Sequence, residues 1–400
     1  MVLVMATNMI DGGNGRCQVG GCNLGSDRLR GSGAYLAEAS GEPAKISSAK
    51  IGKPPPAHCF KHMRIAMASD TIQSITIEGF KSIRSVKDFP LRPINILIGA
   101  NGSGKSNFLE AFMLLGAAHG GERASYVAQQ GGANKLLHFG SKITERVYVA
   151  LESSNGLNIY ADCRYTVDDS LAGTISSGWN ERDGPTFNRY RFRDTGEDSR
   201  LRKTNELHNN RTLSRLGGNL AAFLHLLKEQ YRESYEIIRK TVQQAAPFFE
   251  DFQLAPLKLN PNTIRLEWRH AGTDDYFDVS SLSDGTLSFI ALATAFLQPV
   301  ELRPSVILVD EPELGLHPYA IGLLASLIRQ ASEETQVIVA TQSPLLLDYF
   351  EPQDILVANR VDGATTIERL KPEPLTEWLK EYSLGQLWEK GELGGRPGKE

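Results

Sequence analysis

The chain has 400 residues, of which 41% are hydrophobic and 22% charged, with a formal net charge of −4 and four cysteines. Those values suit a globular protein, argue against a disulfide scaffold, and leave any nucleic-acid contact to local basic patches. The longest strongly apolar run, near 287–300, is too short to span a bilayer, and no charged-then-apolar leader opens the chain, so a cytoplasmic protein without a membrane partner is expected.

Residues 1–70 are rich in Gly, Ala and Ser, carry "KPPP" and show no sustained periodicity. They read as a disordered arm, or as sequence upstream of a true start at Met63 or Met67, dispensable up to residue 66. Cys17, Cys22, His58, Cys59 and His62 invite a zinc reading, but the spacing suits tetrahedral ligation poorly. Residues 71–396 are expected to form one folded head, with 168–260 as an inserted lid or helical lobe.

From Ile72, "SITIEGFKSI" alternates like a strand entering a turn. "INILIGANGSGKSNFLEAFMLL" reads as a buried strand, a glycine-rich loop and a helix. "RVYVALESSNGLNIYADCRYTV" reads as a hairpin turning at Asn155-Gly156. The stretch 168–215 looks polar and irregular. Its Arg189, Arg191, Arg193, Arg200, Arg202, Lys203, Arg211 and Arg215 are interleaved with acids, so they either bind phosphates or decorate a solvated insert. Leu220, Phe223, Leu224, Leu227, Tyr231, Tyr235, Ile238 and Val242 mark one face of a long helix, or of two in line, ending before Pro247. "NTIRLEWRH" reads as one strand. "SVILVDEPE" and "TQVIVATQS" are apolar strands with polar ends, separated by the helical "YAIGLLASLIRQ", the pattern of a parallel sheet covered on both faces. "DILVANRVDGATTIERL" reads as a late hairpin, and "PLTEWLKEYSLGQLWEKGELGG" as a helix with a glycine-rich tail. The fold class is α/β, a P-loop NTPase with a mostly parallel sheet, a β-hairpin lobe and an inserted helical lobe.

Three motifs carry chemistry. Gly99, Ala100, Asn101, Gly102, Ser103, Gly104, Lys105 and Ser106 satisfy G-x-x-x-x-G-K-[ST] between a strand and a helix, where backbone N–H groups cradle phosphates. Lys105 is then the phosphate-binding cation for ATP, and the Ser106 hydroxyl a Mg2+ ligand. At the end of "VILVDEPE", Asp310 is the second Mg2+ residue and Glu311 the group that orients or deprotonates water. "SLSDG" at 281–285 opens an apolar helix with Ser283 and Gly285, a second helix start able to hold a phosphate.

Together with "EPELGLHP" and "VIVATQSP", these motifs resemble the ATPase heads of the ABC superfamily, in the branch of RecF, SMC-type heads and OLD-family ATPases, and the RecF-like predicted ATPases of bacteria in particular. The resemblance covers 72–396. The "LGLHP" stretch, with His317 and Pro318, differs from the transporter branch, which leaves a transporter motor as the weakest reading. The resemblance implies an ATP-dependent homodimer in which Ser283 and Gly285 of one chain cap the γ phosphate held by the facing chain; Ser283 can at the same time cap its own helix. Where the family often has a switch histidine, this chain has Gln342, a neutral amide, so slow hydrolysis is expected. Gln130 is the candidate Q-loop residue at Mg2+, or Gln129 and Gln130 belong to a plain loop. Ser106 and Leu282 lie 176 positions apart, too few for SMC-length arms, and the 57 residues after Ser343 are too few for a C-terminal nuclease. The implied role is a switch on DNA in repair or phage defence; the alternative is a nucleotide-sensing regulator of a separately encoded nuclease or toxin.

Overall fold

The computed structural model describes residues 71–179 and 184–395. The expectations for residues 1–70, including the zinc reading and the alternative starts, lie outside the described residues.

The centre is a six-stranded sheet in the order Ala364–Arg369, Ile355–Val361, Ile94–Ile98, Gln336–Ala340, Val306–Asp310, Phe187–Tyr190. Five strands are parallel, and Ala364–Arg369 returns antiparallel as an edge hairpin. The apolar run of Val306–Asp310 follows from burial on both faces: Val306 and Leu308 enter one core, Ile307 and Val309 the other. In register, Asp310 stands beside Ala340 and Ala340 beside Leu97. The three strands therefore end in line, and the loops after them share one edge, where α/β sheets bind ligands.

One core encloses the helix Lys105–His119 between this sheet and an antiparallel sheet ordered Ile83–Pro90, Ile72–Phe80, Arg146–Ser153, Asn158–Tyr165, Leu171–Ser177. The other core packs Asp284–Leu297, Pro318–Ala331, Leu220–Gln230 and Arg232–Ala245 on the opposite face. Among the described residues no helix is long and apolar enough to cross a membrane.

The two expected hairpins are present, turning at Asn155-Gly156 and at Asp362-Gly363. The apolar face from Leu220 to Val242 resolves into two helices, because Tyr231 leaves helical geometry at φ −130° and ψ 56°. "NTIRLEWRH" is not one strand. Asn260–Ile264 pairs with Asn205–Glu206, whereas Glu267–His270 pairs with Phe249–Gln253 in a different sheet. The C-terminal stretch is also divided, into Pro372–Leu375 and Leu384–Lys390. The largest departure lies in 168–215. Leu171–Ser177 closes the antiparallel sheet, and Phe187–Tyr190 is a strand of the central sheet, paired with Val306–Asp310. Its "RYRFR" does alternate with period two, and Tyr190 and Phe192 are buried, but the arginines disguise a strand as a polar loop.

Candidate functional site

The buried strand Ile94–Ile98 delivers the chain into loop 99–104 and then the helix Lys105–His119. Gly104 has φ 101°, and a Cβ there would stand 2.1 Å from Thr365 Oγ1, so the turn requires glycine. No side chain caps the helix at Gly104, so its first N–H groups remain for a ligand. Ser103 Oγ is buried without a partner in the same loop. Lys105 is 7% exposed, and its Nζ donates to the Gly99 carbonyl at 2.7 Å and the Ala100 carbonyl at 2.9 Å. The Ala100 N–H donates to the Gly395 carbonyl at 2.8 Å, which lays the glycine tail against the loop.

Asp310, buried at its strand end, accepts from Ser106 Oγ at 3.2 and 3.4 Å. A hydroxyl and a carboxylate so placed suit a hard divalent cation held partly through water. Asp310 also accepts from Arg189 Nη2 at 2.5 Å, and Arg189 Nη1 donates to Glu110 at 3.1 Å. Glu110 pairs in turn with Lys81, which donates to Gln130 Oε1 at 3.2 Å. Gln130 therefore meets the Ser106–Asp310 pair only through Lys81, Glu110 and Arg189, and the structure does not bring it to the pair as a ligand. The short helix Arg123–Gln129 ends there, with Gln130 at its C-terminal cap.

Glu311 sits at φ 52°, with its N–H bonded to the Ala340 carbonyl at 2.8 Å. Its carboxylate accepts from Gln342 Nε2 at 2.9 Å and pairs with Arg193. Gln342 Nε2 also donates to Asn101 Oδ1 at 2.9 Å. Gln342 thus ties the phosphate loop to Glu311. Glu313 is buried; its Oε1 accepts from Thr341 Oγ1 at 2.6 Å and from the Gln342 N–H at 3.2 Å, and burial pushes its carboxyl up. Arg189, Arg193, Glu110 and Glu313 were not singled out from the sequence as site residues. The period-two arginines of "RYRFR" and the third acid of "DEPE" were the available signals for Arg189, Arg193 and Glu313.

Burial holds the Lys105 ammonium below the usual lysine range, opposed by Glu311, Asp310 and Glu313. A phosphate would restore the charged form. In the window between the depressed free value and the higher bound one, binding takes up protons and affinity falls as pH rises. Calorimetry at about pH 9, in buffers of different ionisation enthalpy, should reveal this uptake. An affinity that stays flat through the usual lysine range contradicts the assignment.

Ser283 caps the helix Asp284–Leu297 by accepting from the Thr286 N–H at 3.2 Å. This helix lies in the core on the far side of the sheet from Lys105–His119, and no hydrogen bond among the described residues joins it to the phosphate loop. Gly285 is required by its own chain: a Cβ would stand 2.2 Å from the Gly315 carbonyl. Arg202 fastens this turn, donating to the carbonyls of Val279 and Leu282 at 2.6 and 3.2 Å and to Asp284 at 2.9 Å. The basic stretch therefore divides. Arg189, Arg193, Arg202 and Lys203 are engaged by acids of the same chain, whereas the guanidiniums of Arg191, Arg200, Arg211 and Arg215 meet no hydrogen-bond or ion-pair partner among the described residues.

A family model described as "AAA domain, putative AbiEii toxin, Type IV TA system" matches residues 94–348. No curated protein matches significantly. Among solved structures, the chain is similar to an Smc head bound to the C-winged helix domain of ScpA, at 19% identity and TM-score 0.55, covering 76% of this chain and 99% of that one. It is also similar to the Pyrococcus furiosus Smc head with an extended coiled coil bound to the C-terminal domain of ScpA (19% identity, TM-score 0.51, 78% and 98% covered). The Pyrococcus yayanosii Smc head with a coiled coil and joint gives 14% identity and TM-score 0.51, with 78% and 99% covered. These likenesses show the fold, an SMC-head-like α/β architecture of the ABC-ATPase head type.

Proposed function

The chain belongs to the AAA-domain family described as putative AbiEii toxin of a type IV TA system, and we propose that it binds and slowly hydrolyses ATP, dimerises on ATP, and acts as a switch. The observation that carries this reading is the convergence of Lys105, Ser106, Asp310, Glu311 and Gln342 on one sheet edge. The uncapped helix start and the orphaned Ser103 hydroxyl fit a phosphate ligand, and the Ser106–Asp310 pair fits Mg2+. Mg-ATP would supply the electrophilic γ phosphorus and the metal charge that offsets its oxygens. Lys105 would exchange its two carbonyl partners for phosphate oxygens. Ser106 would ligate the cation directly and Asp310 through water. Glu311, once released from Arg193, would orient a water molecule and accept its proton. Gln342 would hold Glu311 in register with the loop, but as a neutral amide it supplies no charge, consistent with slow turnover.

Dimerisation is favoured by the helix start at Ser283. Ser283 and Gly285 make no bond to their own phosphate loop, so a second copy is the natural source of a cap for each site. Downstream, we place the switch on DNA, in repair or phage defence, in the cytoplasm; the fold and the four unpartnered arginines support this. The second reading, control of a separate protein effector, draws support from the family's toxin–antitoxin description and from the ScpA domains bound to two of the similar heads. A mixing experiment tests the shared site. Lys105→Ala and Ser283→Arg chains, each inactive alone, should together recover one intact composite site and about a quarter to a half of the wild-type rate. No recovery, with mixed dimers demonstrated by scattering, overturns the sandwich.

A further inference from the structure

Arg189 also lines a cavity of about 920 Å3 whose walls include neither Ser106 nor Asp310. Its wall carries six arginines, Arg189, Arg191, Arg200, Arg211, Arg215 and Arg303, against two acids, Glu110 and Glu301. Arg189 and Arg303 are 6% and 8% exposed, and each has a buried Nε with no hydrogen-bond partner. The guanidiniums of Arg191, Arg200, Arg211 and Arg215 are unpaired among the described residues. Ser214, also on the wall, has a buried hydroxyl without a partner.

Like charges gathered round one space repel each other, and buried donors without acceptors are costly. An anion relieves both penalties. Guanidinium forks match the paired oxygens of phosphate, and several around one concavity select a ligand with several phosphate oxygens over a single carboxylate. The volume is that of a nucleotide-sized ligand. From this geometry we infer that the cavity is a second anion site, distinct from the phosphate loop, that takes a nucleotide-sized oligophosphate. A free polyphosphate and the phosphorylated end of a single strand offer the same chemistry. The inference stands whether or not the phosphate loop holds ATP.

Titration calorimetry on the full chain tests it, with tripolyphosphate, 5′-phosphorylated hexathymidylate and 5′-hydroxyl hexathymidylate as probes. Lys105→Ala, which disables the loop, should leave one tripolyphosphate site. Adding Arg200→Glu and Arg211→Glu to it should weaken that site about 100-fold, since two charge-assisted contacts are lost and reversed. Arg211→Gln with Arg215→Gln should weaken it by a smaller factor and serves if the charge reversals fail to fold. The Arg200→Glu, Arg211→Glu protein with Lys105 intact should bind Mg-ATP as wild type, so failure at the cavity and failure at the loop are separable. If the 5′-phosphate improves oligonucleotide binding about tenfold or more, the ligand is a strand end; if tripolyphosphate binds and the two oligonucleotides behave alike, it is a free oligophosphate. No binding of any probe to Lys105→Ala at about 1 mM, or binding indifferent to the arginine changes, overturns the inference.

Discussion

Replacing Lys105 with Ala should abolish measurable ATP binding and, with it, turnover. The ammonium is the buried cation of the loop, donating at 2.7 and 2.9 Å to two carbonyls that a phosphate would displace. A hydrogen bond to a charged partner contributes about 1.5–3 kcal/mol, and two such contacts to phosphate lost together amount to about 3–6 kcal/mol, a weakening of about 10²–10⁴-fold. Two side effects need separating from this loss. The carbonyls of Gly99 and Ala100 would lose their donor, and an Ala leaves a void beside Asp310 and Glu311. Lys105→Met keeps the side-chain volume and removes only the charge, so it should bind as poorly as Lys105→Ala while melting closer to the wild type. Filter binding or calorimetry with Mg-ATP, read against thermal melts, decides the matter. A folded Lys105→Met protein with undiminished ATP affinity would remove Lys105 from the site.

The elements of the candidate site were legible wherever they are local in sequence. Gly99 to Ser106 carry their own turn geometry, and an apolar strand ending in Asp310 and Glu311 announces a sheet edge without reference to any other segment. Gln342 could be placed because parallel strands end together, and its bonds to Asn101 and Glu311 follow from that register. What could not be read depends on pairing across long separations. Arg189 meets Asp310 across 121 positions, and Arg193 meets Glu311 across 118. Charged residues in a sequence without periodic apolar partners look solvated, yet these are neutralised by acids that only the fold supplies. Phe187–Tyr190 was hidden for the same reason, since an edge strand pairing with Val306–Asp310 needs just four residues and leaves little local signal. The two halves of "NTIRLEWRH" share one alternation but belong to different sheets, a choice made by their partners and not by their own residues. Gln130 differs: a family position suggested a metal ligand, and in the structure its amide oxygen accepts from Lys81.

Glu311→Gln should slow hydrolysis while leaving nucleotide binding intact, so that an ATP-bound dimer accumulates. The groups expected to hold Mg-ATP, namely Lys105, Ser106 and Asp310, are untouched by the change. Gln has the same backbone tolerance as Glu, so the left-handed conformation at φ 52° is no less accessible to the variant. One amide oxygen can still accept from Gln342 Nε2, which preserves the tie to Asn101. The other position becomes an NH2 group facing the Arg193 guanidinium, where donor meets donor, so that contact is lost. An amide cannot take a proton from water. Removal of a general base typically costs about 10²–10⁴-fold in rate, or about 3–5 kcal/mol of barrier. Single-turnover hydrolysis should fall by that factor, ATP affinity should stay within about threefold of wild type, and light scattering with Mg-ATP should report a stable dimer where the wild type returns to monomer. Undiminished hydrolysis would show that another group handles the water, with buried Glu313 the next carboxylate on the same edge. Slow hydrolysis without a dimer would keep Glu311 as the base and refute the head-to-tail arrangement, because closure is then not what ATP stabilises.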